Sequence, residues 1–459
     1  MTNLRNAAIH YAHEHRDQFL SALVEFGRIP SVSTDPDRRQ EVEHSARWVV
    51  ERLKALGVKN ARLYPTAGNP VVYGELLTAG GKAPTALVYG HYDVQPAEPL
   101  ELWESGAFEP SVRGENIYGR GVTDMKGQIL AVLAAIESVQ GVGPTPINFK
   151  FIFEGEEEVG SPNLPQFIAE HAQLLACDFA VNPDTGMIAS DLPTIAYALR
   201  GIAYYELRVY GPARDLHSGT FGGVVHNAAQ ALCELIAGMH DADGRINLPG
   251  FYEKVRPLDT EEQAELRRSP LDEAFYLAQT GVPALKGESG FVPAALTGAR
   301  PTLEVNGFLS GYTGLGGKTI IPAYAMAKIS MRLVPDQDPR DVTHQIRTYL
   351  EQHAPPTIRW ELDDLQGGKP CISNRHSPAI QALTNAMKTV WGKPPIYKRE
   401  GGSVPVVGLF QKYLGVDSVN TGFSCIGDNT HSPNEKLHLP TWYKGIDAMI
   451  HFFYNLFEG

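Results

Sequence analysis

The chain has 459 residues, of which 43% are hydrophobic and 20% are charged, as is usual for a globular protein of two or three domains. Its formal net charge of -12 argues against nucleic acid as a partner, because nucleic-acid binding needs a basic surface. The apolar runs are far shorter than the roughly 20 residues of a membrane helix. With a polar N-terminal segment and no signal-peptide core, the sequence predicts a soluble, cytoplasmic protein without membrane contact; export by a route without a cleaved signal stays open.

The cysteines are four in number and lie far apart in the chain, at positions 177, 233, 371 and 425. None belongs to a Cys-x-x-Cys pair, so we expect neither a disulfide framework nor a thiolate zinc cluster. The cysteines are interpreted as reduced thiols. Any metal site in this chain would then use nitrogen and oxygen ligands.

The first part of the chain alternates helical and strand patterns. Apolar residues at helical spacing predict a helix over Arg38–Leu56, and a second helix, rich in small residues, is expected over Gly127–Val139. Short apolar runs without alternation are typical of strands that are buried on both faces of an α/β sheet. These predicted strands are Val71–Leu76, Thr85–Tyr89, Asn148–Phe153 and Asp178–Val181.

The middle of the chain has a different pattern. Gly201–Tyr210 alternates between apolar and polar residues like a half-exposed strand, and a polar stretch occupies Leu248–Arg300. The other predicted elements are helix Val224–Met239, strands Thr302–Phe308 and Ala323–Val334, helix Pro339–His353 and strand Thr357–Leu362. This β-α-β-β-α-β order is typical of a ferredoxin-like α+β domain.

The last part returns to the α/β pattern, with helix Pro378–Trp391, strand Asp417–Thr421 and a closing helix over Pro440–Phe457. We therefore predict a discontinuous catalytic α/β domain made of residues 1–198 and 369–459. Residues 199–368 are predicted to form an inserted domain.

Acidic and imidazole side chains stand at or just beyond the ends of several predicted elements. The open end of an α/β sheet is where ligands normally bind. Carboxylates that are packed together there repel one another and lose hydration unless cations neutralise them. Two divalent ions about 3.5–4 Å apart, bridged by one carboxylate and a water, meet that requirement. The side chains concerned are His91 with Asp93, Asp124, Glu154–Glu158, Asp184 and His431.

Each of these features has a structural explanation when it is taken singly: a surface pair, a helix start, a solvated acidic loop or a turn. The predicted metal site depends on all of them reaching the same edge of one sheet. Nitrogen and oxygen ligands suit zinc, and they also suit cobalt or manganese.

Four motifs appear in a fixed order along nearly the whole chain: Tyr89–Pro96, Gly119–Gly127, Phe153–Ser161 and Thr430–Glu435. With them the chain resembles the metallopeptidases that include carnosinase-type dipeptidases, carboxypeptidase G, acetylornithine deacetylase, succinyl-diaminopimelate desuccinylase and aminoacylase. The resemblance implies a mixed-sheet, zinc-peptidase-like catalytic domain. It also implies that the inserted domain acts as a lid and as the dimerisation domain.

The resemblance further implies a set of metal ligands. His91 and Asp184 would each bind one ion, Glu158 and His431 would bind the other, and Asp124 would bridge the two. A water held between the ions loses a proton near neutral pH, and both ions polarise the scissile carbonyl.

Two more acidic residues have implied roles beside the metals. Asp93 would orient the ring of His91 and raise its basicity. Glu157 would act as the general base and later protonate the leaving amine, a task that metal ions cannot perform. The names of base and ligand are counted back from Gly160 and Ser161, and a shift of one residue would exchange them.

The inserted region carries implied substrate-binding residues. Arg214–Gly219 resembles the family's lid motif, in which a histidine, here His217, reaches a neighbouring subunit and holds the oxyanion. Such a donor is worth ~3–4 kcal/mol in the transition state. Arg332 would grip a substrate carboxylate, and Thr319 and Ser403 would add hydrogen bonds. Action of His217 and Thr319 in the neighbour's site would require at least a homodimer.

Within the family, Glu98–Trp103 and Arg399–Ser403 look most like the dipeptidase branch. The sequence thus predicts cleavage of dipeptides or very short peptides. The alternative is an N-acyl-amino-acid amidohydrolase or deacylase with the same metal centre. A hypothesis of another class is a non-catalytic, metal-stabilised peptide-binding protein, which would have no use for a glutamate such as Glu157 beside its metals.

Overall fold

The computed structural model describes residues 2–402 and 404–458, and the chain divides into two compact units. Within the described residues, the first comprises residues 2–197, 373–398 and 404–458, and the second residues 198–372 and 399–402. The segment that starts at Arg399 was assigned to the catalytic domain in the sequence analysis but belongs to the second unit. The reason is local, because the buried guanidinium of Arg399 pairs with the buried carboxylate of Glu262.

The first unit is built on a mixed β-sheet. Its strands, in order across the sheet, are Lys59–Tyr64, Val71–Leu76, Asn148–Glu154, Thr85–His91, Phe179–Asn182, Ser418–Asn420 and Thr194–Leu199. The four strands from Asn148–Glu154 to Ser418–Asn420 are parallel, and antiparallel strands flank them. The predicted α/β class with a mixed sheet is therefore confirmed.

Helices cover this sheet and form its hydrophobic core. Helix Lys126–Gln140 is buried over almost its whole length, as its small and aliphatic residues predict. It packs against the last helix, and the indole of Trp442 donates a hydrogen bond to the carbonyl of Gly127. The helices are Thr2–Glu14, Arg16–Gly27, Arg39–Ala55, Lys126–Gln140, Leu164–Glu170, Ala172–Leu175, Pro378–Trp391, Pro405–Leu414 and Leu439–Glu458.

Short strands connect loops that are distant in sequence. Lys436–His438 pairs with Asn116–Tyr118, which itself pairs with Ser111–Arg113. Further short strands are Gly186–Met187, Ser424–Cys425 and Ile396–Glu400, and 3-10 helices occupy Pro36–Arg38, Leu100–Leu102 and Glu157–Val159. Among the described residues, no helix has both the length and the apolar character needed to cross a bilayer.

The second unit contains a four-stranded antiparallel sheet. Its order is Thr302–Ser310, Tyr324–Leu333, Gly201–Tyr210 and Arg359–Gly368. Every second residue of the two central strands is buried, and helices Ala228–Gly238 and Pro339–His353 share the core that these residues form. The β-α-β-β-α-β order predicted from the sequence is confirmed.

Some boundaries in this unit differ from the prediction. The helix expected from Val224 begins only at Ala228, because the side chain of Asn227 accepts the backbone N–H of Ala229 and caps it. The polar stretch contains helices Thr260–Arg268, Glu273–Thr280 and Pro293–Gly298. The remaining elements are strands Leu216–His217, Ile320–Ile321 and Cys371–Ile372 and helix Ser218–Phe221.

Candidate metal centre

The centre lies at the carboxyl ends of neighbouring parallel strands in the first unit. Strand Thr85–His91 ends in His91, strand Asn148–Glu154 leads into the acidic loop, and Asp184 follows strand Phe179–Asn182. Parallel strands place these ends at one edge of the sheet, so side chains that are distant in sequence meet there.

A first group of three potential ligands contains His91, Asp124 and Asp184, whose ligand atoms all lie within 4.8 Å of one another. The Nε2 atom of His91 is 3.2 Å from Oδ1 of Asp124 and 3.9 Å from Oδ1 of Asp184. The imidazole is fully buried, whereas both carboxylates keep a partial opening to solvent. This geometry suits a cation that substrate can approach from one side.

A second group contains Asp124, Glu158 and His431. The Nε2 atom of His431 lies 2.9 Å from Oδ2 of Asp124 and 3.4 Å from Oε2 of Glu158. The other carboxylate oxygen of Glu158, Oε1, is buried and has no hydrogen-bond partner among the described residues. An unsatisfied buried oxygen beside two further ligand groups fits a cation. Asp124 uses a different oxygen towards each histidine and thereby links the two groups.

Asp93 lies on the Nδ1 side of His91. Nδ1 of His91 is 3.0 Å from the backbone carbonyl oxygen of Asp93 and 3.4 Å from its carboxylate Oδ1. With its proton held on Nδ1, the ring turns the lone pair of Nε2 towards the ligand group. The other carboxylate oxygen of Asp93 accepts the backbone N–H of Glu158, so one buried aspartate supports both ligand groups.

The electrostatics of the centre favour cations. Burial raises the pKa of Asp184 well above its ordinary value, and the neighbouring charges of Asp124 and Glu157 raise it further, against the opposing effect of His91. Hydrogen bonds to Asp124 and Glu158 raise the pKa of His431 to about 10. Carboxylates that are buried close together repel one another, and this repulsion favours their protonated forms. Divalent ions can take the place of the protons and neutralise the same charges.

The three consecutive glutamates have separate environments. Glu156 is buried and accepts hydrogen bonds from Asn69 and Asn163, so it fastens the loop. Glu158 faces His431. Glu157 belongs to neither ligand group, yet burial and the charges of Glu158 and Asp124 raise its pKa to about 8, against the opposing effect of His91. Glu157 is thus a carboxyl group beside the centre.

The predicted substrate residues that are described all lie in the second unit. His217 is exposed, and its Nδ1 accepts the backbone N–H of Gly219. His217 pairs in a short ladder with Ile320, which places the exposed Thr319 beside it. Arg332 is half-buried in strand Tyr324–Leu333. Ser403 lies outside the described residues.

Several residues of the centre were given no role of their own in the sequence analysis, although Glu154 stands in its acidic run. The amide of Gln95 donates a hydrogen bond to Oε2 of Glu158. Glu154 is buried and accepts from the hydroxyl groups of Tyr89 and Ser161. Glu435 is also buried and contacts the loop that carries Asp124. Gln95, Glu154 and Glu435 all fall inside the quoted motifs, but no local pattern indicates their partners.

Comparison of the sequence with models of known protein families assigns the chain to a family. A family model described as "Peptidase family M20/M25/M40" matches residues 87–455, a span that contains all the ligand candidates above. The chain belongs to this peptidase family. The family resemblance inferred from the four motifs is therefore confirmed.

Relatives within the M20 family have high coverage. The Candida albicans "Cys-Gly metallodipeptidase DUG1" is 31% identical over 95% of this chain and 94% of its own. The human "Beta-Ala-His dipeptidase" is 29% identical over 97% of this chain and 91% of its own. The crystal structure of the M20 metallo-carboxypeptidase Sso-CP2 from Sulfolobus solfataricus superposes with a TM-score of 0.84, at 32% identity over 96% of this chain and 99% of the other.

The M20 family consists of dinuclear metal-dependent peptidases, so the prediction of a hydrolytic enzyme is confirmed. The likeness to metallodipeptidases confirms the predicted dipeptidase branch. Among the described residues, the two groups of potential ligands that share Asp124 fit a pair of ions.

Proposed function

We propose that this M20 peptidase is a metallodipeptidase, which hydrolyses the amide bond of dipeptides or very short peptides with two divalent ions. One observation carries the proposal: two groups of three ligands share the single carboxylate of Asp124. The names of the relatives, a Cys-Gly metallodipeptidase and a Beta-Ala-His dipeptidase, support the substrate class.

In this proposal His91 and Asp184 would hold one ion, Glu158 and His431 would hold the other, and Asp124 would contribute to both sites. Zinc is the proposed metal, with manganese or cobalt as alternatives, because the ligands are imidazole nitrogens and carboxylate oxygens. When bound, the ions would polarise the scissile carbonyl and would lower the pKa of a water molecule. The chain itself fixes the ligands, and Asp93 keeps the His91 ring in place.

Glu157 is proposed to move the proton. Its carboxylate accepts a proton from the attacking water and then donates it to the nitrogen of the departing amine. Two observations support this role. Glu157 is outside both ligand groups, and the pKa of its carboxyl group is raised. A group that takes up a proton and then releases it works best when its pKa is close to the operating pH.

Arg332 is proposed to bind the carboxylate of the substrate. It lines a cavity of about 660 Å³ in the second unit together with two other cationic side chains, Arg200 and Lys286. Burial and the nearby charge of Arg332 lower the pKa of Arg200 to about 10, which indicates two guanidinium groups close together. The charges of Glu400 and Glu304 oppose that effect, and the carboxylate of a substrate bound between the guanidinium groups would oppose it further. Hydrogen bonds from Thr319 and Ser403 to the substrate stay predictions.

We further propose a homodimer that forms through the inserted domain. Strand Thr302–Ser310 lies at the edge of its sheet, and it exposes Val305, Phe308 and Leu309 to about half of their surface. An exposed edge strand with apolar side chains is a template for pairing with another copy. In that dimer His217 would reach the partner's site as an oxyanion donor.

Replacement of His217 with alanine is expected to lower kcat by about 10²–10³-fold, because one oxyanion donor is lost. Metal content, measured by elemental analysis, should not change, since His217 is in neither ligand group.

A mixed dimer of a His217→Ala chain and a Glu157→Gln chain tests action across the interface. If His217 acts in the partner's site, one site has both residues and about half of the activity returns; a fully inactive mixed dimer would show that it acts within its own chain.

The substrate class is tested with a panel of dipeptides, tripeptides and acetylated and succinylated amino acids, each assayed with added zinc, manganese or cobalt. Cleavage of the dipeptides and little turnover of the acylated amino acids is the expected result. Preference for the acylated compounds would instead make the protein an amidohydrolase of the same family. Two bound ions and peptide affinity without hydrolysis of any compound would indicate the non-catalytic binding protein.

A cytoplasmic location is also proposed. All four cysteines are free thiols in the structure. Thiols that stay reduced are typical of proteins from reducing compartments.

A further inference from the structure

Glu435 is a fully buried carboxylate in the loop that carries His431. Its Oε2 accepts hydrogen bonds from the guanidinium of Arg120 at 2.7 Å and from the backbone N–H of Gly121 at 3.0 Å. Its Oε1 accepts the backbone N–H groups of Thr123 at 2.9 Å and of Asp124 at 3.2 Å. One side chain thus satisfies three backbone amides of the loop that leads to the shared ligand.

The backbone of the same residue joins the two loops a second time. The carbonyl of Glu435 accepts the N–H of Gly119 at 3.0 Å, and the adjoining strand Lys436–His438 pairs with Asn116–Tyr118. The converging amides form a concavity of the kind that binds anions in other proteins. Here a carboxylate of the chain itself occupies that concavity, so the loop has a fixed shape before any ligand arrives.

Backbone conformation shows why this loop needs such a partner. Gly121 has a positive φ of 83°, and a Cβ atom there would lie 2.4 Å from Cγ1 of Val94. His431 also has a left-handed backbone, with φ of 62°. Residues other than glycine rarely adopt this conformation, and they keep it only where surrounding contacts impose it. Glu435 supplies such contacts to the loop of Gly121 and so ties that loop to the one that carries His431.

We propose that Glu435 is a positioning residue that sets the separation of the two metal ions. It fixes the backbone of Asp124 through the loop amides, and it fixes His431 because both belong to one short loop. The two residues therefore keep the 2.9 Å approach between Nε2 of His431 and Oδ2 of Asp124. This inference rests on the proposed metal centre, but it concerns a residue that binds neither ion.

The charge of Glu435 is needed as well as its shape. A carboxylate offers lone pairs on both oxygens, whereas an amide has one acceptor and places an NH₂ donor against backbone donors. Glu435→Gln should therefore release the amides of either Gly121 or of Thr123 and Asp124. Outer partners of metal ligands typically contribute 10–100-fold to metal affinity. We expect a loss of that size for the ion that His431 helps to hold.

The experiment uses the full-length protein with manganese as the probe ion. Metal affinity is measured by calorimetry, and the pairing of the ions is read from electron paramagnetic resonance, because two manganese ions that share a bridge are magnetically coupled. Wild type should bind two coupled ions. Glu435→Gln should bind the second ion about 10–100-fold more weakly and lose the coupled signal.

Two further variants separate positioning from stability. Glu435→Gln leaves Arg120 as an unpaired buried cation, which can unfold the protein, so Glu435→Gln with Arg120→Met removes both charges. This double variant should fold and should still lose the coupled signal. Glu288→Gln removes a matched buried carboxylate, paired with Arg300 in the second unit. It should lower the melting temperature of the metal-free protein and leave metal binding unchanged.

The outcomes are distinct. A coupled ion pair with wild-type affinity in the folded double variant would overturn the role of Glu435. Wild type without two coupled ions would overturn the proposed metal centre itself. Weaker binding and loss of coupling in the variants of Glu435, with normal binding in Glu288→Gln, would support the inference.

Discussion

Replacement of Glu157 with glutamine is expected to lower kcat by about 10³-fold while two metal ions stay bound. Glutamine has almost the same shape as glutamate, but it cannot accept the proton of the attacking water or donate one to the leaving amine. Because Glu157 belongs to neither ligand group, the ions lose no ligand. The measurement is kcat for a cleaved dipeptide, together with metal content by elemental analysis on the same preparation.

The neighbouring glutamate gives a matched control. Glu156→Gln alters a buried carboxylate one position earlier, and the amide oxygen can still accept from the backbone of Asn69. Its effect on kcat should be far smaller than that of Glu157→Gln. Equal losses in the two variants, or full turnover in Glu157→Gln, would mean that the proton carrier is another group.

Replacement of Asp124 with asparagine should have an even broader effect. The residue is common to both ligand groups, and its two oxygens face different histidines. Asparagine keeps the size of the side chain but removes the charge and one acceptor oxygen. We expect the metal content to fall from two ions to one or none per chain, and activity to fall below detection even with excess metal.

Asp178→Asn is the control for this experiment. Asp178 precedes strand Phe179–Asn182, at the end of the sheet opposite to the metal centre, and its carboxylate accepts the N–H of Thr85. An asparagine oxygen can take over that bond, so metal content and turnover should match wild type. Two bound ions and normal turnover in Asp124→Asn would contradict a bridging role.

Much of the fold was predictable because local patterns agree with tertiary burial. The alternation in Gly201–Tyr210 matches one buried face of the strand, and helix Pro378–Trp391 has the predicted bounds. The helices between Leu248 and Arg300 were not predicted, because the stretch has few apolar residues at helical spacing. In this stretch a capping box between Asp259 and Glu262 marks the start of helix Thr260–Arg268, which hydrophobic periodicity does not indicate.

Most of the candidate ligands could be proposed from the sequence because they stand close to the end of a buried strand or the start of a helix, whereas His431 lies in a loop and was proposed from its motif. The supporting residues could not be found in this way. The partners of Glu435 are more than 300 positions away, and Gln95 contacts Glu158 across a separation of 63. Such contacts depend on how the loops fold. For the same reason the assignment of Arg399 to a unit needed the structure, since its partner is Glu262.

The order of the ligands along the chain has a consequence for biosynthesis. Asp124 and His431 meet in space but are 307 positions apart in sequence. At translation rates of 5–20 residues per second, roughly 15–60 s separate their emergence from the ribosome. During that interval the carboxylates of the centre have been synthesised but His431 has not. The residues of the second unit are also synthesised before the last segment of the first unit. Stable uptake of both ions therefore has to wait until synthesis has passed His431.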